Sequence, residues 1–290
     1  MRNNRAPRVA VAQDLSGIGR SALAVALPTL AALGVQACPL PTALLSAHTA
    51  FPGVQMIDQT DFLGQALEEW TRLDRSFEGV YTGFLATPKE AVRLRAFICA
   101  QRARGCGWAV VDPAMADHGR LYRTVPAAMP DAMRDLVAVS DLTTPNYTEA
   151  CLLTGTPYQA EPLTPQALRA LLRALIGLGC KAALVTGARL QGGACANALL
   201  RAQGDVYLCR YAPLPAAFPG TGDLFSAMLT GRLLTGMAPE EALGCASGFA
   251  YEAIRRTLAL GTDPIEGVQF EGMLCALSEV PRLAVEKMSQ

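Results

Sequence analysis

Short apolar runs alternate along the chain with longer segments in which apolar residues recur at helical spacing. The apolar runs are typical of buried strands; they cover residues 8–13, 34–40, 79–84, 108–111, 139–144 and 182–186. The segments between them predict helices over residues 20–33, 58–73, 88–104, 147–153 and 166–178. Strands alternating with helices predict an α/β fold with a parallel sheet and helices on both faces.

The last third of the chain adds a hairpin and three helices to this pattern. The hairpin joins residues 195–200 to residues 206–211 around Gly204-Asp205, and helices are expected after residue 220, over residues 239–257 and at the C-terminus. Thr164 and Thr221 are candidate N-caps, with Pro165 in the first turn of its helix. Because no linker or repeat divides the chain, we predict one domain over residues 1–290.

Composition narrows the class of partner. Half of the residues are apolar, which supports a sizeable core, and 25 Lys and Arg balance 25 Asp and Glu. No basic run occurs, so we expect no nucleic acid and no anionic membrane surface as partner. Residues 21–57 lack these charged residues, but prolines and glycines divide them into pieces too short to span a bilayer. The expected partners are small molecules.

The cysteines indicate a reducing compartment. There are nine, an odd number, scattered and without a C-x-x-C pair, which is unlike a disulfide framework. Only His48 and His118 could add imidazole ligands, so no structural zinc site is expected. No apolar signal core follows Arg2, Arg5 and Arg8, and the predicted location is the cytoplasm.

The stretch from Phe218 to Phe225 is the strongest candidate for chemistry. Prolines and glycines make a turn up to Gly222, and the following residues begin an apolar-faced helix. Free N–H groups and the helix dipole favour an anion there. Asp223 would repel a phosphate, but it fits a base that deprotonates an attacking hydroxyl. The simpler interpretation is that a first-turn Asp only complements the dipole.

Polar residues also follow several predicted strands, at the edge where parallel sheets bind ligands. They are Asp14, residues 46–49, Thr82-Gly83, Asp112, Asn146 and Thr186-Gly187. Three of these groups have a structural alternative: Asp112-Pro113 can be a strand-ending turn, residues 146–149 a capped helix start, and His48 a satisfied buried histidine. Gly17 and Gly19 are followed by Ala22, so the dinucleotide fingerprint fails, and the P-loop Gly-Lys-Ser/Thr is absent.

Three motifs in order carry a family resemblance: Asp112 to Asp117, Asn146-x-x-Glu149 and Gly220-Thr221-Gly222-Asp223. With Gln13-Asp14, residues 46–49 and residues 82–84, they make the chain resemble the ribokinase-like kinases of vitamin B6, the pyridoxal/pyridoxamine kinases, over about residues 9–250. Residues 14–20 and 38–42 look most like bacterial pyridoxamine kinases. The resemblance implies a three-layer αβα sandwich around a mostly parallel sheet, a homodimer, and ATP-dependent phosphorylation of the vitamer 5′-hydroxymethyl group in pyridoxal phosphate salvage.

The resemblance also implies roles for individual residues. Asp223 is the base, and Gly220, Thr221 and Gly222 form the anion hole. On the nucleotide and cation side, Asn146 and Glu149 lie near Mg²⁺ and the triphosphate, and Asp112 and Thr144 lie near a second or monovalent cation such as K⁺. Asp117 and Tyr122 belong to a flap over ATP. Thr186 and Gly187 lie at the nucleotide edge. The ring pocket comprises Asp14 and Thr49 as polar contacts, Leu45 and Phe84 as apolar walls, and the adjacent His48.

One departure bears on the substrate. Many pyridoxal kinases carry Ser where this chain has Asp14, and a carboxylate there could pair with the pyridine nitrogen or favour the cationic amine of pyridoxamine. Hydroxymethylpyrimidine kinase is the nearest alternative, although its glycine-rich first loop does not match residues 14–19. A sugar kinase would leave residues 46–49 without a role. A non-catalytic B6-binding protein would need no base at Asp223.

Overall fold

The computed structural model describes residues 5–201, 204–277 and 279–288. Its strands are β1 (Arg8–Ser16), β2 (Gln36–Leu45), β3 (Met56–Asp58), β4 (Gly79–Thr82), β5 (Trp108–Val111), β6 (Ala116–Asp117), β7 (Arg120–Leu121), β8 (Leu142–Thr143), β9 (Ala182–Arg189), β10 (Cys195–Arg201), β11 (Val206–Tyr211) and β12 (Glu286–Lys287). Its α-helices are α1 (Ala22–Ala32), α2 (Thr60–Arg72), α3 (Pro88–Arg102), α4 (Met129–Val137), α5 (Tyr147–Thr154), α6 (Pro165–Gly177), α7 (Thr221–Leu234) and α8 (Pro239–Leu260).

One sheet of ten strands runs through the molecule in the order β12-β11-β10-β9-β8-β5-β4-β1-β2-β3. The six central strands, from β9 to β2, are parallel. The strands at both edges are antiparallel, with β3 on one side and β10 to β12 on the other. The predicted mostly parallel α/β sheet is confirmed.

Helices cover both faces of this sheet and bury two separate apolar clusters. Side chains of α1, α7 and α8 pack on one face, and those of α2 to α6 pack on the other. The strands contribute alternate residues to the two clusters, as Val80 and Tyr81 of β4 do. The predicted three-layer αβα arrangement is therefore confirmed. In the described residues no helix is long and apolar enough to cross a bilayer.

Several predicted boundaries were wrong. The expected C-terminal helix is replaced by two short 3-10 helices (Pro264–Glu266 and Glu271–Ala276) and by β12. Gly267, with a φ of +80°, ends the first of them, which explains why a continuous helix does not form. The predicted strand over 139–144 shrinks to β8, and β1 extends through Ser16 rather than ending at residue 13. The sequence patterns gave no indication of β3, the β6–β7 hairpin or α4.

One of the two predicted N-caps is confirmed. The Thr164 hydroxyl accepts a hydrogen bond from the Ala167 N–H at 3.1 Å and caps α6. At α7 the prediction was wrong: Gly220 takes the cap position with a φ of +80°, and the Thr221 hydroxyl instead donates to the Phe218 carbonyl at 2.8 Å. A Cβ at Gly220 would also collide with the Arg20 carbonyl, so only glycine fits this entry to α7.

Candidate active site

Four acidic side chains converge on the carboxyl edge of the sheet. Asp14 lies in β1, Asp112 directly follows β5, and Glu149 and Asp223 lie in the first turns of α5 and α7. Burial raises the pKa of each, and like charge adds to it: Asp223 raises the pKa of both Asp14 and Asp112, and Asp112 raises that of Glu149. The structure therefore brings together carboxylates that lie far apart in the sequence.

Asp223 is fixed by the start of a different helix. Its Oδ2 accepts a hydrogen bond from the Ala22 N–H at 2.8 Å, at the first residue of α1. Burial raises the pKa of the Asp223 carboxyl, while this hydrogen bond lowers it. A carboxyl that is oriented by a backbone donor and made more basic by burial can take up a proton from a substrate hydroxyl.

His48 is buried and both of its ring nitrogens have partners in the protein. Nε2 lies 2.8 Å from the Ile265 carbonyl, and Nδ1 accepts from the Ala50 N–H at 3.3 Å. A carbonyl only accepts, so Nε2 carries the proton and Nδ1 is the acceptor of a neutral ring. This geometry matches the satisfied buried histidine that the sequence left open as an alternative to a ligand role.

Asp14 is buried beside a local irregularity of the sheet. The register between β1 and β2 shifts there, because Gln13 pairs with Pro41 but Leu15 pairs with Leu44. The Ser16 hydroxyl donates to Asp14 Oδ2 at 3.2 Å. Burial, and then the charge of Asp223, raise the pKa of Asp14 to about 7. Asp14 can therefore be present in either protonation state near neutral pH.

The other predicted ring-pocket residues divide into buried and exposed ones. Leu45 and Phe84 belong to the same buried apolar cluster, on the side of the sheet that α2 and α3 cover. The Phe84 carbonyl accepts from the Thr42 hydroxyl at 2.8 Å, which ties the end of β4 to β2. Thr49 is exposed in the loop after β2.

Asp112 is linked to α7 through a serine. The Ser226 hydroxyl donates to Asp112 Oδ2 at 2.7 Å and lies 3.2 Å from the Thr144 hydroxyl. Burial, followed by the charge of Asp223, raises the pKa of Asp112 to about 8. Ser226 escaped the sequence reasoning, although its spacing of three from Asp223 puts both side chains on one face of the helix.

Asn146 and Glu149 form a reciprocal cap at the start of α5. Asn146 Oδ1 accepts from the Glu149 N–H, and Glu149 Oε2 accepts from the Asn146 N–H, each at 2.9 Å. Glu149 Oε1 also accepts from the Met115 N–H at 3.0 Å, and Asn146 Nδ2 donates to the Ala116 carbonyl at 2.8 Å. The capped-helix interpretation thus describes the contacts that these two side chains make within the protein.

The predicted flap contains the β6–β7 hairpin, which that cap holds in place. Asp117 is exposed in the hairpin, and the Gly119 N–H donates to the Thr148 hydroxyl of α5 at 3.0 Å. Burial and then the charges of Glu149 and Asp117 raise the pKa of the Tyr122 phenol. Tyr122 therefore lies close to the acidic edge, and its position over a nucleotide stays a prediction.

Thr186 and Gly187 lie at the same edge. Thr186 donates its N–H to the Pro145 carbonyl at 2.9 Å and forms a parallel bridge with Asn146. The Gly187 N–H donates to Asn197 Oδ1 at 2.9 Å. The structure thus places Thr186 beside the start of α5, and ties Gly187 to β10.

Comparison with known protein families shows which family of proteins this chain belongs to. The model of the phosphomethylpyrimidine kinase family matches residues 23–267. The chain belongs to this family. A pyridoxine/pyridoxal/pyridoxamine kinase of Bordetella avium is 31% identical over 243 residues, covering 80% of this chain and 79% of the relative.

Solved structures of related proteins are similar to this chain over nearly its whole length. A Bacteroides thetaiotaomicron protein assigned as a phosphomethylpyrimidine kinase, solved with pyridoxal, is 34% identical with a TM-score of 0.91, covering 98% of this chain and 100% of that one. Pyridoxal kinase of Lactobacillus plantarum is 32% identical with a TM-score of 0.86, covering 94% and 97%. The chain is a kinase of the ribokinase-like vitamin B6 group, which confirms the resemblance found in the sequence.

Besides Ser226, the sequence reasoning missed Tyr81, and it used Gln13 only within the family resemblance, without a role of its own. Gln13 and Tyr81 are fully buried, and the Gln13 amide lies against Gly83, where a Cβ would come within 2.5 Å of Nε2. Asp112 and Asp223 both raise the pKa of the Tyr81 phenol, although burial raises it most. Polar residues inside apolar strands were the available signal, because such groups rarely occupy a core without a role.

Proposed function

We propose that this kinase transfers the γ-phosphoryl group of ATP to the 5′-hydroxymethyl group of pyridoxamine, pyridoxal or pyridoxine, with Asp223 as the catalytic base. The observation that carries the proposal is the position of the Asp223 carboxyl, buried at the start of α7 and oriented by the Ala22 N–H. Its raised pKa suits a group that accepts the proton of an alcohol during in-line transfer.

The turn before Asp223 supplies room and donors for the phosphoryl group. Gly220 turns the chain with a φ of +80°, and a Cβ at Gly222 would meet no atom within 4 Å. First-turn N–H groups have no carbonyl partner within their own helix, although the Thr221 N–H donates to the Phe218 carbonyl of the preceding turn at 3.3 Å, and the dipole adds positive character. Gly220, Thr221 and Gly222 are therefore the proposed anion hole, which stabilises charge developing on the transferred group.

The acidic edge fits hard cations that accompany a nucleotide. Carboxylate and hydroxyl oxygens are the ligands that Mg²⁺ and K⁺ prefer, and Asp112, Thr144 and Glu149 provide them. Burial, and then like charge, raise the pKa of Asp112 and of Glu149, and no described lysine or arginine lowers either. Asn146 and Glu149 would hold Mg²⁺ near the triphosphate, through water at Glu149, and Asp112 and Thr144 a second or monovalent cation. When bound, Mg²⁺ neutralises phosphate charge.

The substrate ring would lie between Asp14 and the apolar pair Leu45 and Phe84, with Thr49 and His48 at its rim. Because the pKa of Asp14 is about 7, its carboxyl can either accept from a protonated pyridine nitrogen or donate to a neutral one. A cationic amine would also be attracted to the ionised form. Such contacts would favour pyridoxamine over pyridoxal.

The nucleotide would be covered by the hairpin and bordered by the sheet edge. We assign Asp117 and Tyr122 to the flap that keeps water from the phosphoryl group, and Thr186 and Gly187 to the nucleotide edge. The start of α5, which both regions contact, supports this assignment. A single domain over residues 1–290, a homodimer and a cytoplasmic location stay predictions.

The deciding experiment is ADP release with Mg-ATP and four separate acceptors: pyridoxamine, pyridoxal, pyridoxine and hydroxymethylpyrimidine. We expect turnover with the three B6 vitamers and the highest kcat/KM with pyridoxamine. The family model favours hydroxymethylpyrimidine as the second candidate substrate. Turnover with the pyrimidine alone would replace the substrate and keep the mechanism. Binding of a vitamer without any ADP release would instead indicate a carrier protein.

A further inference from the structure

The turn at the tip of the β6–β7 hairpin is held by two contacts from outside the hairpin. Its central residues, His118 and Gly119, have φ values of +50° and +80°, as the favoured two-residue hairpin turns require. The Gly119 N–H donates to the Thr148 hydroxyl of α5 at 3.0 Å. The second contact is the ring of Tyr158, because a Cβ built at Gly119 would lie only 2.8 Å from Tyr158 Cδ1. The ring therefore lies directly against the backbone of the turn.

Tyr158 belongs to the connection between α5 and α6, and it is fixed there by a second tyrosine. The rings of Tyr147 and Tyr158 pack with their centroids 5.3 Å apart. The N–H of the next residue, Gln159, donates to the Tyr147 phenol oxygen at 3.4 Å. Tyr147 itself packs against the buried cluster that α2 to α6 cover. The Tyr158 ring is thus anchored to the core of the kinase, although 40% of the residue is exposed.

The hairpin needs such support because it is very short. Each of its strands has only two residues, and an isolated two-stranded hairpin is marginally stable at best. Asp117 directly precedes the turn, and its Oδ1 accepts from the His118 N–H at 2.7 Å. Tyr122 directly follows β7, and its N–H donates to the Met115 carbonyl at 2.9 Å. A displacement of the turn would therefore shift both flap residues.

We propose that Tyr158 is a positioning residue for phosphoryl transfer. Its ring supports the Gly119 turn and thereby keeps Asp117 and Tyr122 over the nucleotide. This inference rests on the proposed assignment of the flap, and Tyr158 acts through the hairpin rather than on the substrates. A displaced flap admits water to the phosphoryl group. Water oxygen then bonds to the γ-phosphorus as the bond to ADP breaks, which releases ADP, inorganic phosphate and a proton.

Limited digestion with trypsin tests the contact itself. Intact kinase is digested without ATP or vitamer, and mass spectrometry follows cleavage after Arg120, exposed in β7, relative to Arg75, exposed in the loop after α2. Tyr158→Ala should raise this relative rate about fivefold, since the hairpin loses an aromatic contact and opens locally more often. Tyr158→Phe keeps the ring and should match the wild type. The matched control is Phe62→Ala, which truncates an exposed aromatic side chain of α2.

Gly119→Ala tests the same contact from the hairpin. In the wild type its Cβ would both strain the positive φ and collide with the ring. In the Tyr158→Ala background only the strain stays. The substitution should therefore raise cleavage after Arg120 by a larger factor in the wild type than in that background. Equal factors would mean that the ring does not support the turn.

The ratio of ATP hydrolysis to phosphoryl transfer tests the role in the reaction. ADP release is measured with Mg-ATP alone and then with whichever of the four acceptors the wild type uses best. Tyr158→Ala should raise the ratio of hydrolysis to transfer about fivefold, in step with the opening of the hairpin. Tyr158→Phe and Phe62→Ala should keep the wild-type ratio. A merely structural role would lower both rates in proportion, because it reduces only the amount of folded enzyme.

Three results would overturn the proposal. They are unchanged cleavage after Arg120 in Tyr158→Ala, a Tyr158→Phe variant that behaves like Tyr158→Ala, and a loosened hairpin with an unchanged ratio of hydrolysis to transfer. The digestion uses no ligand, and the choice of acceptor is read from the wild type. A failure of this inference is therefore distinct from a failure of the proposed reaction.

Discussion

Buried aspartates at the two ends of the parallel strands are treated differently by this kinase. At the amino end of β8, Asp141 accepts from the Ala109 N–H at 2.8 Å and pairs with Lys181 at 2.6 Å and Arg102 at 3.1 Å. At the carboxyl end of β5, Asp112 has the Ser226 hydroxyl as its hydrogen-bond partner and Asp223 as a repelling neighbour. One carboxylate is neutralised by the protein, and the other is left without a cation.

The same contrast extends to the rest of the carboxyl edge. No lysine or arginine among the described residues lowers the pKa of Asp14, Asp223 or Glu149, and burial raises the pKa of each. Uncompensated buried charge costs stability, so a fold keeps it where the charge has another use. The comparison indicates that the paired end of the sheet serves stability and the unpaired end serves chemistry.

The sharpest test of this contrast is Asp223→Asn, which keeps the shape of the side chain and removes its basicity. We expect kcat for ADP release with pyridoxamine to fall about 10³-fold, within the range for losing a general base. Folding should be preserved, because the variant removes a buried charge. The matched control is Asp61→Asn, an exposed Asp in the first turn of α2. If Asp223→Asn keeps the activity of the wild type, Asp223 is not the base and only complements the dipole of α7.

A pH series on Asp14→Asn tests the unpaired end through stability. The pKa of Asp14 is raised on folding from 3.8 to about 7. The folded protein therefore keeps a proton that the unfolded chain has lost, so this residue destabilises the wild type progressively as pH rises through that window. The variant lacks this loss and should be more stable above the folded pKa by up to about 4 kcal/mol.

Urea denaturation of both proteins between the two pKa values and above them measures this difference. Asp135→Asn, at an exposed site on α4, should leave the pH dependence of the wild type unchanged. If the free energies of unfolding of wild type and Asp14→Asn differ by the same amount at every pH, Asp14 does not carry the raised pKa.

The paired end should respond in the opposite way. Asp141→Asn removes the charge that holds Arg102 and Lys181, and we expect it to lower the free energy of unfolding by about 1–3 kcal/mol without changing kcat. Asp74→Asn breaks an exposed ion pair with Arg104 and should cost less than about 1 kcal/mol. Chemical denaturation with an activity assay separates the two effects. If fully folded Asp141→Asn has a lower kcat than the wild type, the two ends of the sheet do not differ in function as proposed.

The sequence predicted most of the layout on which these tests rest. Parallel strands are easily recognised in a sequence, because strands buried on both faces are continuous apolar runs. The predicted bounds of β5 and of the β10–β11 hairpin agree closely with the structure. Elements of two or three residues, such as β3 and β6, were missed because so short a pattern has no periodicity. The N-cap of α7 was placed one residue too late, since Thr is the commoner cap and only the approach of the Arg20 carbonyl requires glycine.

By itself, the sequence determined the fold class and the acidic residues at strand ends, because the order of buried strands and helices follows from local hydrophobic pattern. Only the tertiary structure decided which of these residues meet. Ala22 donating to Asp223 and Ser226 joining Asp112 to Thr144 are contacts between distant segments. The physical reason is that burial and like charge, which raise the pKa of these carboxyls, arise only when the chain folds around them.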